Sequence, residues 1–236
     1  MKRYLLYVLL MSPLLGAALA QQQATSPTQA AATAAQVPSA QLIWADLMEG
    51  NQRFVSGKTK TVDVVPLRQN LAKGQAPKVA VLACSDSRVV PEILFDKSLG
   101  DLFVVRSAGN IADAIGVGSI EYAVEHLGSS VLVVLGHEKC GAVTAACSGD
   151  KMATPNLQAM VDQISPAVTR AKTHAKGDEL VEAAILENVH QSAKDVLARS
   201  EVLQHFLHDG KLTVFEAVYE LDSGKVVQLR TISGHD

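Results

Sequence analysis

The sequence predicts an α/β fold: a mainly parallel central sheet covered by helices, with a C-terminal β-hairpin. Short, almost continuous apolar runs stand at 78–84 (KVAVLAC), 102–106 (LFVVR) and 131–136 (VLVVLG), and strands buried on both faces read this way. Between the second and third runs, Val117, Ile120, Val124 and Leu127 recur at helical spacing. That is a crossover unit of strand, helix and parallel strand. Near the end Thr213 to Glu220 alternates, Ser223-Gly224 marks a tight turn, and Val226 to Arg230 returns, the pattern of a hairpin.

The other elements follow from local signals. Ser39 is placed to cap a helix over 41–55, whose apolar side carries Ile43, Leu47 and Phe54. Further helical segments are expected near 139–148, 155–173 and 179–200. Pro166 should break or kink the second of these, and Val181, Ile185, Val189 and Val196 stripe the third.

The N-terminus has the three-part layout of a secretory signal. Lys2 and Arg3 are followed by an apolar stretch over 4–17 and by Ala18-Leu19-Ala20. Residues 1–20 are therefore read as a signal peptide rather than a retained anchor, because Ser12, Pro13 and Gly16 interrupt the run. Residues 21–40 are rich in Gln, Ala, Ser, Thr and Pro without hydrophobic periodicity, the composition of a flexible tether. Residues 41–236 form a single domain. The expected destination is a periplasm, with full secretion as the alternative.

Composition bounds the function. With 48% hydrophobic and 19% charged residues, the chain is that of a globular protein. Its formal charge is −3, and −5 once Lys2 and Arg3 are removed, so no nucleic-acid partner is expected. No later apolar run reaches the roughly 18 to 20 residues of a membrane span, so none is expected after signal cleavage.

Three cysteines follow the signal: Cys84, Cys140 and Cys147. In an oxidising compartment a disulfide is the first idea to test, but one thiol would be left over and a domain this size needs no staple. The first apolar run ends in Cys84-Ser85-Asp86-Ser87-Arg88, and the third in His137-Glu138-Lys139-Cys140-Gly141. Both clusters then stand at the C-terminal ends of parallel strands, where open α/β sheets bind ligands. Two thiolates and an imidazole suit zinc, and three protein ligands leave a fourth position open, as in catalytic sites. Taken singly, Cys84 is a small buried hydrophobe, His137 a loop histidine, and a His-x-x-Cys pair a weak signal.

The longer segments CSDSRVVPEILFD (84–96), GDLFVVRSAGNI (100–111), GSIEYAVEHLG (118–128) and VLGHEKCGAV (134–143) resemble the beta-class carbonic anhydrases, with weaker similarity over about 41–230. The resemblance implies reversible hydration of carbon dioxide by a zinc-bound hydroxide, with one zinc per subunit in a homodimer or larger homo-oligomer. It implies that Cys84, His137 and Cys140 are the metal ligands. Asp86 and Arg88 would form the catalytic dyad that gates and orients, Asp86 becoming the fourth ligand in a closed state. Gln75, Phe103 and Tyr122 would line a substrate pocket, one wall of which comes from the partner subunit, and Arg106 would be structural. Ser107 departs from the family's usual Asn. Val81 stands where one subgroup carries a Trp at a noncatalytic bicarbonate site, so the chain resembles the subgroup without that site. Without the resemblance, Phe103 and Tyr122 read as core.

Two anionic sulfur ligands should leave a coordinated water less acidic than three neutral histidines do, so activity is expected to rise with pH. The same fold could instead hydrolyse carbonyl sulfide or carbon disulfide, and a nonenzymatic zinc-binding protein is the remaining alternative. The Asp86–Arg88 pair beside the metal argues against storage. A thiol phosphatase is excluded, because its arginine would fall at position 90, which is Val.

Overall fold

The computed structural model describes residues 39–234. The signal peptide and residues 21–38 of the tether lie outside the described residues. Ser39 is the expected cap: its side chain accepts from the Leu42 N–H at 3.3 Å, and helix α1 (Ala40–Val55) starts one residue earlier than expected. No described helix is long and apolar enough to cross a membrane.

After α1 the chain forms α2 (Val64–Leu71), β1 (Val79–Cys84), α3 (Pro91–Leu94), β2 (Leu102–Ser107), a 3-10 turn (Ala108–Asn110), α4 (Ala114–Glu125) and β3 (Val131–His137). It continues with α5 (Gly141–Ser148), α6 (Pro155–Ala171), α7 (Glu179–Ala198), α8 (Glu201–His208), β4 (Thr213–Tyr219) and β5 (Val226–Ile232). The five strands are ordered β2-β1-β3-β4-β5. All neighbours are parallel except the terminal hairpin β4–β5. The chain leaves β1 toward β2, then crosses back to β3. The crevice at the β1 and β3 carboxyl ends is therefore the switch point of the sheet.

Each face of the sheet has its own apolar layer. Leu82, Leu132, Val134, Val214 and Val218 pack under the helices from α4 to α8. On the other face Val81, Val133, Leu135 and Phe215 meet Ile43, Trp44 and Leu47 of α1, and the Trp44 and Phe215 rings stack with centroids 4.7 Å apart. Asn51 of α1 locks the hairpin: its amide donates to the Leu94 and Gly224 carbonyls, and its carbonyl accepts from the Val226 N–H at 2.9 Å.

Four expectations need correction. Of the break or kink expected at Pro166, the break does not occur, because α6 runs through it. Pro166 is exposed, so the carbonyl it strands on Asp162 meets water, while Gln191 donates to the Gln163 carbonyl at 2.6 Å. The apolar run of β2 is only half-buried, because β2 is an edge strand with one neighbour. The alternating run of β4 is buried throughout, Glu216 included, because β5 covers its outer edge. The hairpin turn is wider than a dipeptide: Glu220 N–H donates to the Lys225 carbonyl, and Gly224 takes φ 75° inside the loop. Helices α2 and α3 carry too few apolar repeats for the sequence pattern to isolate them; α8, where Val202, Leu203, Phe206 and Leu207 recur at helical spacing, was not expected although the signal was present.

Candidate metal centre

Cys84 ends β1, His137 ends β3, and Cys140 caps the N-terminus of α5. Their ligand atoms all lie within 4.8 Å of one another, and all three residues are buried. The turn joining the last two is held by left-handed backbone at Lys139, φ 52°, a sparsely populated region for a residue with a side chain.

The donor set is incomplete without a cation. His137 Nδ1 lies 2.7 Å from the Glu138 carbonyl oxygen, which can only accept, so Nδ1 carries the proton. Nε2 therefore presents a lone pair, and it is buried with no partner. The two thiols compete for one negative charge. A hydrogen bond from the Cys140 thiol, above all, draws the Cys84 thiol well below its ordinary value against the opposing effect of burial. The same contact, with burial, drives Cys140 upward. A soft divalent cation would let both ionise and would occupy the imidazole lone pair. The residues fit zinc.

The surrounding bonds fix Cys84. Gly109 N–H donates to its sulfur at 3.2 Å. Gly109 has φ 75°, and a Cβ there would stand 2.7 Å from Ile164 Cδ1. Asn188 of α7 donates to the Gly109 carbonyl at 2.8 Å, and one turn later Ser192 accepts from the Asn110 amide at 3.3 Å. Helix α7 approaches this closely because Gly136 has no side chain; a Cβ there would meet Val189 Cγ2 at 2.5 Å. Arg106 braces the loop after β1, donating to the Cys84 carbonyl at 3.0 Å and to the Asp86 carbonyl at 2.6 Å.

Asp86 and Arg88 form a two-pronged pair: Nε to Oδ1 at 2.9 Å and Nη2 to Oδ2 at 2.7 Å, with the Arg88 N–H also on Oδ1. Arg88 thereby holds the Asp86 carboxyl well below the usual carboxylate range. Asp86 Oδ2 lies 3.9 Å from His137 Nε2, so the carboxylate borders the ligand cluster.

The expected pocket residues stand apart from this cluster within one chain. Phe103 and Tyr122 are neighbours, with ring centroids 6.3 Å apart. However, Phe103 is in register with Ala80, four residues before Cys84, about 13 Å along the strand. Gln75 lines a shallow surface cavity with Leu71 and Gly100. Ser107 Oγ donates to the Ile111 carbonyl at 2.8 Å and stabilises the turn that carries Gly109. Asn188 and Ser192 were not singled out from the sequence. The signal was present: Asn188 and Ser192 are polar residues spaced four apart within the buried stripe of α7.

A family model described as carbonic anhydrase matches residues 79–226. The chain is 39% identical over 188 residues to carbonic anhydrase 2 of Mycobacterium tuberculosis, covering 78% of this chain and 90% of that protein. Among solved structures it resembles the beta-carbonic anhydrase CcaA, with a TM-score of 0.66 and 27% identity over 80% of this chain and 91% of that one. It also resembles the tetrameric beta-carbonic anhydrases of Sordaria macrospora, with a TM-score of 0.64 and 25% identity over 79% of this chain and 96% of theirs.

Proposed function

The chain belongs to the beta-class carbonic anhydrases, and on that premise we propose that it hydrates carbon dioxide reversibly through zinc held by Cys84, His137 and Cys140. The observation that carries this reading is the buried cluster of two sulfurs and an unpartnered imidazole nitrogen at the sheet's switch point, bordered by the Asp86–Arg88 pair. Zinc, when bound, supplies Lewis acidity that brings the pKa of a water toward neutrality.

The chain's own residues do the rest. Because Arg88 keeps Asp86 ionised, Asp86 is an acceptor only: it orients a proton at Oδ1 or Oδ2 and donates none at neutral pH. Arg88 is half-exposed and can withdraw. Asp86 would then be free to become a fourth ligand, and the dyad acts as a gate. Asn188 and Gly109 keep Cys84 in place as the sulfur anion.

Substrate would be walled by Phe103, Tyr122 and Gln75 of a neighbouring subunit. Half-buried apolar residues along the edge strand β2, together with the exposed side chains of Ile115 and Tyr122 on α4, support a homodimer or larger homo-oligomer. Val81, fully buried in β1, supports the subgroup without a noncatalytic bicarbonate site. Export by residues 1–20 to the periplasm belongs to the same proposal.

Zinc content and stopped-flow hydration of carbon dioxide, measured on wild type and Arg88→Ala, test the reading. The variant is expected to keep one zinc per subunit and lose at least about a hundredfold in turnover, as when an orienting group is removed. Zinc loss in Arg88→Ala would make Arg88 structural, and inactivity of zinc-loaded wild type would overturn the function.

A further inference from the structure

A cavity of about 780 Å³ opens between α6, α7 and the β4–β5 hairpin, away from the metal centre. At its floor stands Glu216, 1% exposed, in register with Val134. That places it three residues before His137, about 10 Å along the strand. A carboxylate so deep in a sheet is costly unless paired, and its partner is His190 Nδ1 of α7. The pairing uses one ring nitrogen of His190, whose side chain stays partly exposed and lines the cavity.

Three further cations line the same cavity from two elements: Lys194 one turn along α7, Arg199 at its C-terminal cap, and Arg230 of β5, which faces Glu216 in register. None has a carboxylate within 4.0 Å among the described residues. Arg170 also lines the wall, but Glu187 and Gln191 occupy its donors. The opposing charges are Glu216, already spent on His190, with Asp162 and Asp195 at the wall. With those pairs set aside, Lys194, Arg199 and Arg230 face Asp162 and Asp195, which leaves a small positive excess in a chain whose formal charge is −3. The volume is that of a small-molecule site rather than a macromolecular surface, and guanidinium groups suit oxyanions with several acceptors.

We propose that this cavity binds a small multivalent oxyanion of the phosphate class, held by Arg230, Lys194 and Arg199, with the protonated ring of His190 as a further partner at its wall. Nδ1–H donates to the buried Glu216 carboxylate, which orients the imidazole, and the ring adds a second donor, at Nε2, only in its protonated form. The site is independent of the metal ligands.

The test is a titration of the zinc-loaded protein with inorganic phosphate, against a chloride blank of equal ionic strength. The readouts are the His190 ring resonances by NMR and the binding isotherm by calorimetry. A saturable His190 shift is expected, with affinity at least about tenfold weaker in Lys194→Gln and Arg230→Gln, since each removes a charge-assisted bond. Both side chains are exposed, so the variants should fold, and their hydration of carbon dioxide should match wild type. A shift no larger than the chloride blank would overturn the proposal. So would equal affinity in both variants, or phosphate binding that leaves His190 unmoved, which would put the anion at the metal centre.

Discussion

Two polar centres interrupt the apolar sheet, and they are completed in opposite ways. At the carboxyl ends of β1 and β3, His137 is 1% exposed with Nε2 unpartnered beside two sulfurs. Midway along β4, Glu216 is equally buried, but His190 satisfies it. Burying a polar atom without a partner costs free energy that a fold recovers only from a ligand. The first centre is therefore built for a cation, whereas the second is finished by the chain and turns only its outer side to the cavity.

The largest expected effect separates the two histidines directly. His137→Ala removes a ligand, and zinc affinity should fall by more than about a hundredfold, beyond the range of outer-shell changes. His190→Ala should retain one zinc per subunit. Competition with a chelator followed by metal analysis measures both; zinc loss in His190→Ala would erase the distinction between the centres.

A smaller effect is expected one bond out from the ligands. Asn188→Ala deletes the donor to the Gly109 carbonyl, loosening the turn whose N–H meets Cys84. Zinc affinity should fall about 10- to 100-fold, and alkylation of Cys84 in the zinc-free protein should need higher pH than in wild type. Unchanged affinity would mean that α7 braces the turn through Ser192 and packing alone.

What the sequence made legible tracks how locally each feature is encoded. The Cys84, His137 and Cys140 cluster and the Asp86–Arg88 pair lie within short segments at strand ends, where strand position and chemistry coincide. The crossover from β2 to β3 was equally plain, because a buried strand and a one-sided helix have different periods. Glu216 and His190 are 26 residues apart and meet only because α7 packs on β4, so each alone read as an ordinary residue of its element. Burial of β4 was hidden for a related reason: alternation reports a half-exposed strand, and only the tertiary cover of α7 and β5 makes it fully buried. The distance of Phe103 from Cys84 is a property of register, which no single strand reveals.

The two partners of the second centre should respond unequally to mutation. His190→Ala leaves the buried Glu216 without its donor, costing about 1–3 kcal/mol of stability. Glu216→Gln leaves a partly exposed imidazole that water can reach, so its cost should be smaller. Urea unfolding of the zinc-loaded variants compares them, and equal losses would mean that packing, rather than the unpaired carboxylate, sets the cost.

The smallest effect is a pH dependence that belongs to the second centre alone. The hydrogen bond to Glu216, first of all, raises the His190 pKa above its ordinary value; Glu187 of α7 pushes in the same direction, while burial and Arg230 of β5 oppose it. A group whose folded pKa is raised binds its proton more tightly in the native state. Its stabilisation is therefore complete below the unfolded value, about 6.5, and is lost as pH rises through the folded value. The urea midpoints of wild type and His190→Asn should differ most in mild acid and converge as pH increases past that window. Arg230→Gln removes an opposing cation and should move the convergence to higher pH. A gap between wild type and His190→Asn that widened with pH would show that His190 is bound neutral, and Glu216 would then need a different account of its burial.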